Sequence, residues 1–267
     1  MKGHEHSITV VKLCASGRPK SLLVSASLDA TIKVEGRKSS FFVSWYLKHQ
    51  LWNIQPSGCS CLATLRGHSK GISSLDCSAG NRLVSSDYGG NINLWDCTTP
   101  AHPAGPLFSL AVGSKQITQV SFNEMDICAS SLSGNFYIWD CCSGRLKLSL
   151  PCHSPIGSFR VADSLLVLGQ QNSIVLMDLR TGKKISTIGF QELSGHSLVN
   201  SICLDTEILS CSLVSSSSIF CWRSSSTVGP EKWRGHSLSV RCLKEDCTKI
   251  FSGGADACVR VSDGIAC

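Results

Sequence analysis

The sequence predicts an all-β protein built from about six four-stranded antiparallel sheets in series. Apolar residues make up 42% of its 267 residues and charged residues only 16%, with many Ser and Gly, a balance that suits short strands and turns better than long solvated helices. Gly-His recurs at Gly3-His4, Gly67-His68, Gly195-His196 and Gly235-His236, each time followed by a stretch of alternating apolar residues. A third run in most units closes on Trp and an acidic or polar residue, as in Leu94-Trp95-Asp96 and Ile138-Trp139-Asp140. Residue type and spacing recur together, which marks an internal repeat.

Each unit justifies four strands in order. The first follows Gly-His, as in ITVVKLC or ISSLDC, and alternates with the period of a half-buried strand. PCHSPIGSF places His153 in the same role, and AVGSKQITQVSF has the strand without its His. The second is apolar and Ser-rich: LLVSAS, RLVSSD, ICASS, LLVLG, ILSCS and IFSGG. A tight turn leads to the third, whose endings are Trp52-Asn53, Trp95-Asp96, Trp139-Asp140, Met177-Asp178, Trp222-Arg223 and Ser262-Asp263. A fourth short run, such as CLATLRG or RLKLSLP, precedes the next unit. The units span approximately residues 3–53, 67–96, 113–140, 152–178, 195–223 and 235–263, within a single domain covering 1–267. TTPAHPAGP, between units 2 and 3, reads as a surface loop.

On these landmarks the chain resembles the WD-repeat family, whose repeats each supply a four-stranded β-propeller blade. The resemblance implies that the Gly-His histidine, a Ser or Thr of the second strand, an Asp in the turn before the third strand and the Trp form a buried hydrogen-bonded set. Such a set matters because a buried polar group left without a partner costs about 1–3 kcal/mol. Carried onto this chain, unit 1 offers His4, Ser25 or Ser27, Asp29 and Trp52, and unit 6 offers His236, Ser252 and Asp256 with Ser262 for Trp. His68 with Trp95, Trp139, and His196 with Trp222 belong to units that read as eroded. Their turn Asp is replaced by Gly89, Ser133 and Ser216 in units 2, 3 and 5, and by Gln171 in unit 4. The chain stops after the third strand of unit 6, so the last blade is expected to be three-stranded and the ring imperfectly closed, with exposed sheet edges.

Residues 34–50 interrupt this pattern. Lifting them out of DATIKVEGRKSSFFVSWYLKHQLWNI leaves DATIK-LWNI, a regular unit ending. Insertions ordinarily sit in loops, because a strand interior owes its backbone hydrogen bonds to both neighbours. The segment therefore reads as an in-frame translated intron or alternative splice segment. The competing reading is a docking loop presenting Phe41, Phe42, Trp45 and Tyr46.

Other features bound the chemistry. The net charge of +6 is mild and the Lys and Arg residues are scattered, which disfavours nucleic-acid binding. The N-terminus MKGHEHSITVV carries no apolar signal segment, and FFVSWYL is too short to span a bilayer. A reducing compartment, cytoplasmic or nuclear, is expected, with the 16 cysteines acting mainly as small core hydrophobes. Cys14, Cys77, Cys203 and Cys242 read as sharing one register. No metal or cofactor is expected, since Cys59/Cys61 and Cys141/Cys142 lack zinc-ligand spacing.

The resemblance implies a non-catalytic scaffold that binds protein partners through rim loops, here His6, Ser7, Leu28, Lys70, Tyr88, Lys115, Gln116, Leu132, Gln170 and Leu238. Tyr88 is the foremost of these, because exposed aromatics are enriched in binding hot spots. Three alternatives stand beside it. A substrate receptor of a ubiquitin ligase in a longer product is one, although only Asp178 and Arg180 come near the adaptor-docking motif. An RNA- or chromatin-binding propeller is another. A channel hydrolase is the third, for which the first strands supply one carboxylate, Asp76, where acid/base chemistry needs two.

Overall fold

A computed structural model describes residues 5–16, 20–35, 50–55, 58–61, 63–78, 82–97, 105–113, 116–123, 125–190, 197–204, 208–214, 216–223, 231–234, 236–245 and 249–263. Among the described residues there are strands and turns but no helix. The strands form sheets in chain order, and the chain divides into two compact units, Met1–Pro151 and Cys152–Cys267.

In the first unit, sheet 1 holds β1 (Ile8–Ser16), β2 (Lys20–Ser27), β3 (Ile32–Glu35), β4 (Gln50–Gln55), β5 (Gly58–Cys61) and β6 (Ala63–Leu65). Sheet 2 is four-stranded, made of β7 (Ile72–Cys77), β8 (Arg82–Asp87), β9 (Asn91–Asp96) and β10 (Phe108–Ala111). Sheet 3 repeats that order with β11 (Ile117–Phe122), β12 (Asp126–Ser131), β13 (Asn135–Asp140) and β14 (Leu146–Pro151). In the second unit, sheet 4 comprises β15 (Ile156–Ala162), β16 (Leu165–Gln170), β17 (Ser173–Asp178) and β18 (Lys183–Gly189). Sheet 5 comprises β19 (Val199–Leu204), β20 (Ile208–Leu213), β21 (Ser218–Arg223) and β22 (Glu231–Arg234). Among the described residues sheet 6 has three strands, β23 (Val240–Glu245), β24 (Lys249–Gly254) and β25 (Val259–Asp263).

Within each unit the core lies between successive sheets. Val24, Ala26, Ile32 and Leu65 of sheet 1 pack with Ile72, Leu75, Leu83 and Trp95 of sheet 2. The other face of sheet 2, with Val84, Ile92 and Leu94, packs on Ile117, Val120, Ile127, Tyr137 and Trp139 of sheet 3. Leu83 and Val84 are adjacent yet belong to different interfaces, the direct result of the two-residue period of a strand. In the second unit, Val167 and Ile174 of sheet 4 pack with Val199, Ile202, Cys211 and Phe220 of sheet 5. The other face of sheet 5, with Ile219 and Cys221, meets Val240, Leu243 and Ile250 of sheet 6.

A regularity absent from the sequence reading runs through all six sheets. In every first strand the pairing register slips by one residue immediately after the first pair: at Ile8/Val10, Ile72/Ser74, Ile117/Gln119, Ile156/Ser158, Val199/Ser201 and Val240/Cys242. The extra residue is a β-bulge, which bends the strand and strengthens its twist. Where it is hydroxylic, the side chain is bound back to the second strand: Thr9 Oγ1 donates to the Ala26 carbonyl, Ser73 Oγ pairs with Ser86 Oγ, and Thr118 Oγ1 donates to the Ser130 carbonyl. In sheet 4 it is Gly157, where a Cβ would overlap the Val199 carbonyl oxygen of the neighbouring sheet.

Neighbouring first strands are also stitched by a hydroxyl at one repeated position. Ser74 Oγ accepts the Val120 N–H at 3.1 Å, and Ser201 Oγ accepts the Leu243 N–H at 3.1 Å. Both join a first strand to that of the following sheet and satisfy an outward-facing backbone donor of a strand at the edge of its own sheet.

Candidate functional site

Sheet 2 contains a complete polar chain. Trp95 Nε1–H donates to Ser85 Oγ at 2.7 Å, His68 Nε2 lies 2.6 Å from the same oxygen, and His68 Nδ1 lies 3.1 Å from Asp87 Oδ2. With its proton on Nδ1, the neutral ring donates to the carboxylate and accepts the serine proton, so each member has a complementary partner. The side chains of His68 and Asp87 are fully buried. Burial raises the carboxyl pKa of Asp87, but hydrogen bonds from His68 and Asn91 outweigh it and hold the group at about 2.

This corrects the reading of unit 2 as eroded. Gly89 does occupy the turn, but Asp87, two residues earlier at the end of β8, supplies the carboxylate. Sheet 6 has the opposite arrangement. Asp256 in the turn lies 3.0 Å from His236 Nδ1, and Ser252 Oγ lies 2.8 Å from His236 Nε2. The register places Gly254 where sheet 2 has Asp87. A Cβ on Gly254 would overlap both Asp256 Oδ1 and His236 Nδ1. Asp and Gly have exchanged places two residues apart, and either order brings one carboxylate to the imidazole.

The remaining sheets hold less of the set. In sheet 1, Ser25 stands in the register of Ser85, Trp52 pairs with Leu23 as Trp95 pairs with Leu83, and Asp29 Oδ2 accepts the Glu5 N–H at 3.0 Å. Ser27 instead ties the turn, donating to the His6 carbonyl and accepting the Asp29 N–H. His4 and His196 lie outside the described residues. In sheet 3, Ala129 takes the serine position, and buried Trp139 stacks its ring on Tyr137 with centroids 5.3 Å apart. Ser133 hydrogen-bonds Ser131 across the turn. In sheet 5, Cys211 takes the serine position and Trp222 packs edge-on against Phe190 at 5.6 Å. Sheet 4 closes its turn with two residues, Gln171 and Asn172, between the paired ends Gln170 and Ser173, with Asn172 at φ 55°. The serine position there is Leu168 and the tryptophan position Met177. Where the serine has been lost, the small or apolar side chains of Ala129, Leu168 and Cys211 take its place in the core.

The acidic residue after the Trp also has a structural task. Asp140 Oδ1 accepts the N–H of Cys142 and of Ser143, capping the turn into β14, while Oδ2 lies 3.0 Å from Lys147 Nζ. Those turn and lysine contacts hold its carboxyl well below the usual carboxylate range. Asp178 caps the corresponding turn through the Arg180 N–H and Thr181 hydroxyl, which places the partial adaptor motif at Asp178 and Arg180 within an ordinary turn.

The rim has a feature of different character. Leu28, Tyr88 and Leu132 each follow the last residue of a second strand, in three successive sheets of the first unit, and are 46%, 42% and 38% exposed. Their backbone is pinned alike: Leu28 N–H donates to Ser7 O, Tyr88 N–H to Gly71 O, and Leu132 N–H to Gln116 O. Gly71 also meets Leu28 directly, since a Cβ there would stand 3.0 Å from the Leu28 carbonyl oxygen and 3.3 Å from its side chain. An exposed apolar side chain thus recurs at one hydrogen-bonded turn position in the three sheets, and His6, Ser7 and Lys70, in the segments before the first strands of sheets 1 and 2, are exposed as well. In the second unit the corresponding position holds Gln171 in sheet 4, Val214, 41% exposed, in sheet 5 and Ala255 in sheet 6, and Leu238 is 55% exposed.

Two of the other rim residues differ from expectation. Gln170 is buried, and its amide donates to the Cys152 carbonyl at 3.3 Å, so it occupies the place of Asp87 and ties a loop rather than facing solvent. Gln116 is half-buried. Lys115 lies outside the described residues.

Asp76 is committed to holding sheets together. Its Oδ1 lies 2.8 Å from Lys12 Nζ and accepts the Cys77 N–H, while its Oδ2 accepts the Ser121 hydroxyl and the Phe122 N–H. One carboxylate thereby joins the first strands of sheets 1, 2 and 3.

The cysteines follow the expectation in part. Cys128, Cys141, Cys203, Cys211 and Cys221 are buried, and burial pushes the Cys128 thiol up to about 12. The shared register for Cys77, Cys203 and Cys242 does not hold. Cys77 pairs with Leu83, Cys203 with Ser210 one step nearer the strand start, and Cys242 with Gly253 beside the bulge, where it is exposed. Cys77 is moreover disulfide-bonded. Among the described residues no group of His, Cys, Asp and Glu is arranged to hold a metal ion.

Residues 59–96 and 230–263 match the family model described as WD domain, G-beta repeat. The first match covers sheet 2 through Asp96, and the second covers sheet 6 through Asp263. These are the two sheets in which histidine, serine and carboxylate are all seen connected.

Proposed function

Because this chain carries WD40 repeats and is a WD-repeat protein, we propose that it is a non-catalytic scaffold whose first unit docks a protein partner on the row Leu28, Tyr88 and Leu132. The WD40 repeat indicates a protein-interaction scaffold as the kind of fold. The single observation that carries the finer reading is the recurrence of an exposed apolar side chain at one pinned turn position in three successive sheets. Apolar side chains held on ordered backbone lose little entropy on binding, and an aromatic among them is the usual anchor of a hot spot. The flanking Lys70 and His6 favour a partner segment that is apolar at its centre and acidic at its edge.

Catalysis has little support in this reading, because Asp76 spends its carboxylate oxygens on cross-sheet contacts. The ubiquitin-ligase, RNA and chromatin alternatives have no specific observation in their favour. A cytoplasmic or nuclear location is part of the proposal. The test is quantitative affinity capture with the intact chain and with the combined Leu28→Ser, Tyr88→Ser and Leu132→Ser variant at matched thermal stability. Loss of a specific partner from the variant supports the proposal. An unchanged partner set contradicts it.

A further inference from the structure

The backbone pairing around residues 34–50 gives a result that the sequence alone did not reach. The third strand of sheet 1 consists of two pieces, β3 before the segment and β4 after it. Against β2 the pairs run Ala26↔Ile32 and Ser25↔Lys33, then Val24↔Leu51 and Leu23↔Trp52. Successive residues of β2 thus meet Lys33 and then Leu51 with no step missed. Sheet 2 has the same ladder over an unbroken strand: Ser86↔Ile92, Ser85↔Asn93, Val84↔Leu94 and Leu83↔Trp95.

The opposite neighbour reports the same register independently. Ile32 pairs with Leu65 and Trp52 pairs with Cys61. If Leu51 directly followed Lys33, this fourth strand would carry one extra residue opposite the Trp. Sheet 3 shows that irregularity, with Ile138↔Leu148 followed by Trp139↔Leu146, and sheet 4 repeats it, with Leu176↔Ser186 followed by Met177↔Lys184. Both flanking strands therefore pair as though residues 34–50 were absent. Within the segment, Val34 and Glu35 leave the blade ladder and pair in parallel with Leu51 and Trp52, an arrangement foreign to the antiparallel sheets around it.

We propose that residues 34–50 are an optional cassette, spliced in frame, and that the chain without them is the regular form of this blade. Strand register makes the boundary unusually testable. Side chains alternate faces along a strand, so an excision one residue too short puts Trp52 and everything after it on the wrong face. Removal of 34–50 keeps Trp52 where Trp95 and Trp139 stand. Removal of 34–49 does not.

The experiment compares three chains: the intact one, one lacking 34–50, and one lacking 34–49. Thermal unfolding and amide hydrogen exchange at Leu23 to Ala26 and at Cys61 are measured in each, alongside sequencing of transcripts across the codons for Lys33 and Leu51. The expected result is a chain lacking 34–50 that melts at or above the intact one with equal or greater protection at those amides. The chain lacking 34–49 melts several degrees lower and loses that protection, and transcripts without the segment are found. A chain lacking 34–50 that loses protection in β2, two deletions that behave alike, or transcripts that all carry the segment would each overturn the proposal.

Discussion

Replacing Ser85 with alanine tests whether the buried polar chain is a structural unit. The hydroxyl is the shared partner of Trp95 Nε1 at 2.7 Å and His68 Nε2 at 2.6 Å, and Ser85 itself is fully buried. Alanine removes one oxygen and orphans two buried groups at once. Each orphan costs about 1–3 kcal/mol, and the cavity left by a single hydroxyl adds little, so the expected loss is about 2–6 kcal/mol. For a domain of this size 1 kcal/mol corresponds to about 2–4 °C, which predicts a fall in Tm of roughly 4–24 °C. Differential scanning calorimetry with Ser109→Ala as the exposed-serine control measures it. Adding Trp95→Phe to Ser85→Ala removes one of the two orphans, so the double variant should lose less than the sum of the single changes. An Ser85→Ala chain that melts with the control would refute the argument that this chain of hydrogen bonds holds the sheet.

Four further outcomes follow from the same geometry. The Asp–Gly exchange predicts that Asp87→Gly destabilises by about 2–4 kcal/mol, as loss of a buried hydrogen-bonded charge does, and that Asp87→Gly with Gly89→Asp recovers part of it in chemical denaturation. The Asp87 carboxyl is held at about 2 against an ordinary 3.8; its folded form binds fewer protons, so its contribution is present above pH 4 and disappears as pH falls toward 2. Asp87→Asn should flatten the stability profile in that window. Ala257 occupies the left-handed position, φ 59°, that Gly90 and Gly134 fill in sheets 2 and 3; Ala257→Gly should stabilise by about 0.5–1 kcal/mol after the entropic cost of glycine. Val259 and Val261 on β25 are 77% and 54% exposed; changing both to Lys should lower concentration-dependent association in analytical ultracentrifugation, as charges on an edge strand do.

The sequence made the sheets legible because their signal is periodic. Alternating apolar stretches, Ser-rich second strands and Trp endings locate the strands of units 2 to 6 closely, and the interruption at 34–50 stood out because it breaks that period. Properties that depend on through-space pairing were hidden. Gly89 suggested a missing carboxylate, yet Asp87 reaches the same imidazole from a position two residues away, on the same face of the chain. Gln170 looked like a rim residue by its place in the unit, but it stands in the register of Asp87, a position buried in sheets 1, 2, 3 and 5 as well, and its amide reaches the Cys152 carbonyl. The recurrent bulge left no mark in composition, since Thr9, Ser73, Thr118, Gly157, Asn200 and Arg241 share no chemistry. The apolar row at Leu28, Tyr88 and Leu132 was individually visible, and only the shared backbone bond identifies it as one surface.

A photo-crosslinking aromatic residue placed at position 88, with a second chain carrying it at exposed Leu146 on β14, probes the docking row in the folded protein without disturbing its supports. Irradiation should join a discrete protein partner to position 88 and leave position 146 unlinked. Efficient capture at 146 with none at 88 would contradict the assignment of the turn row as the docking face.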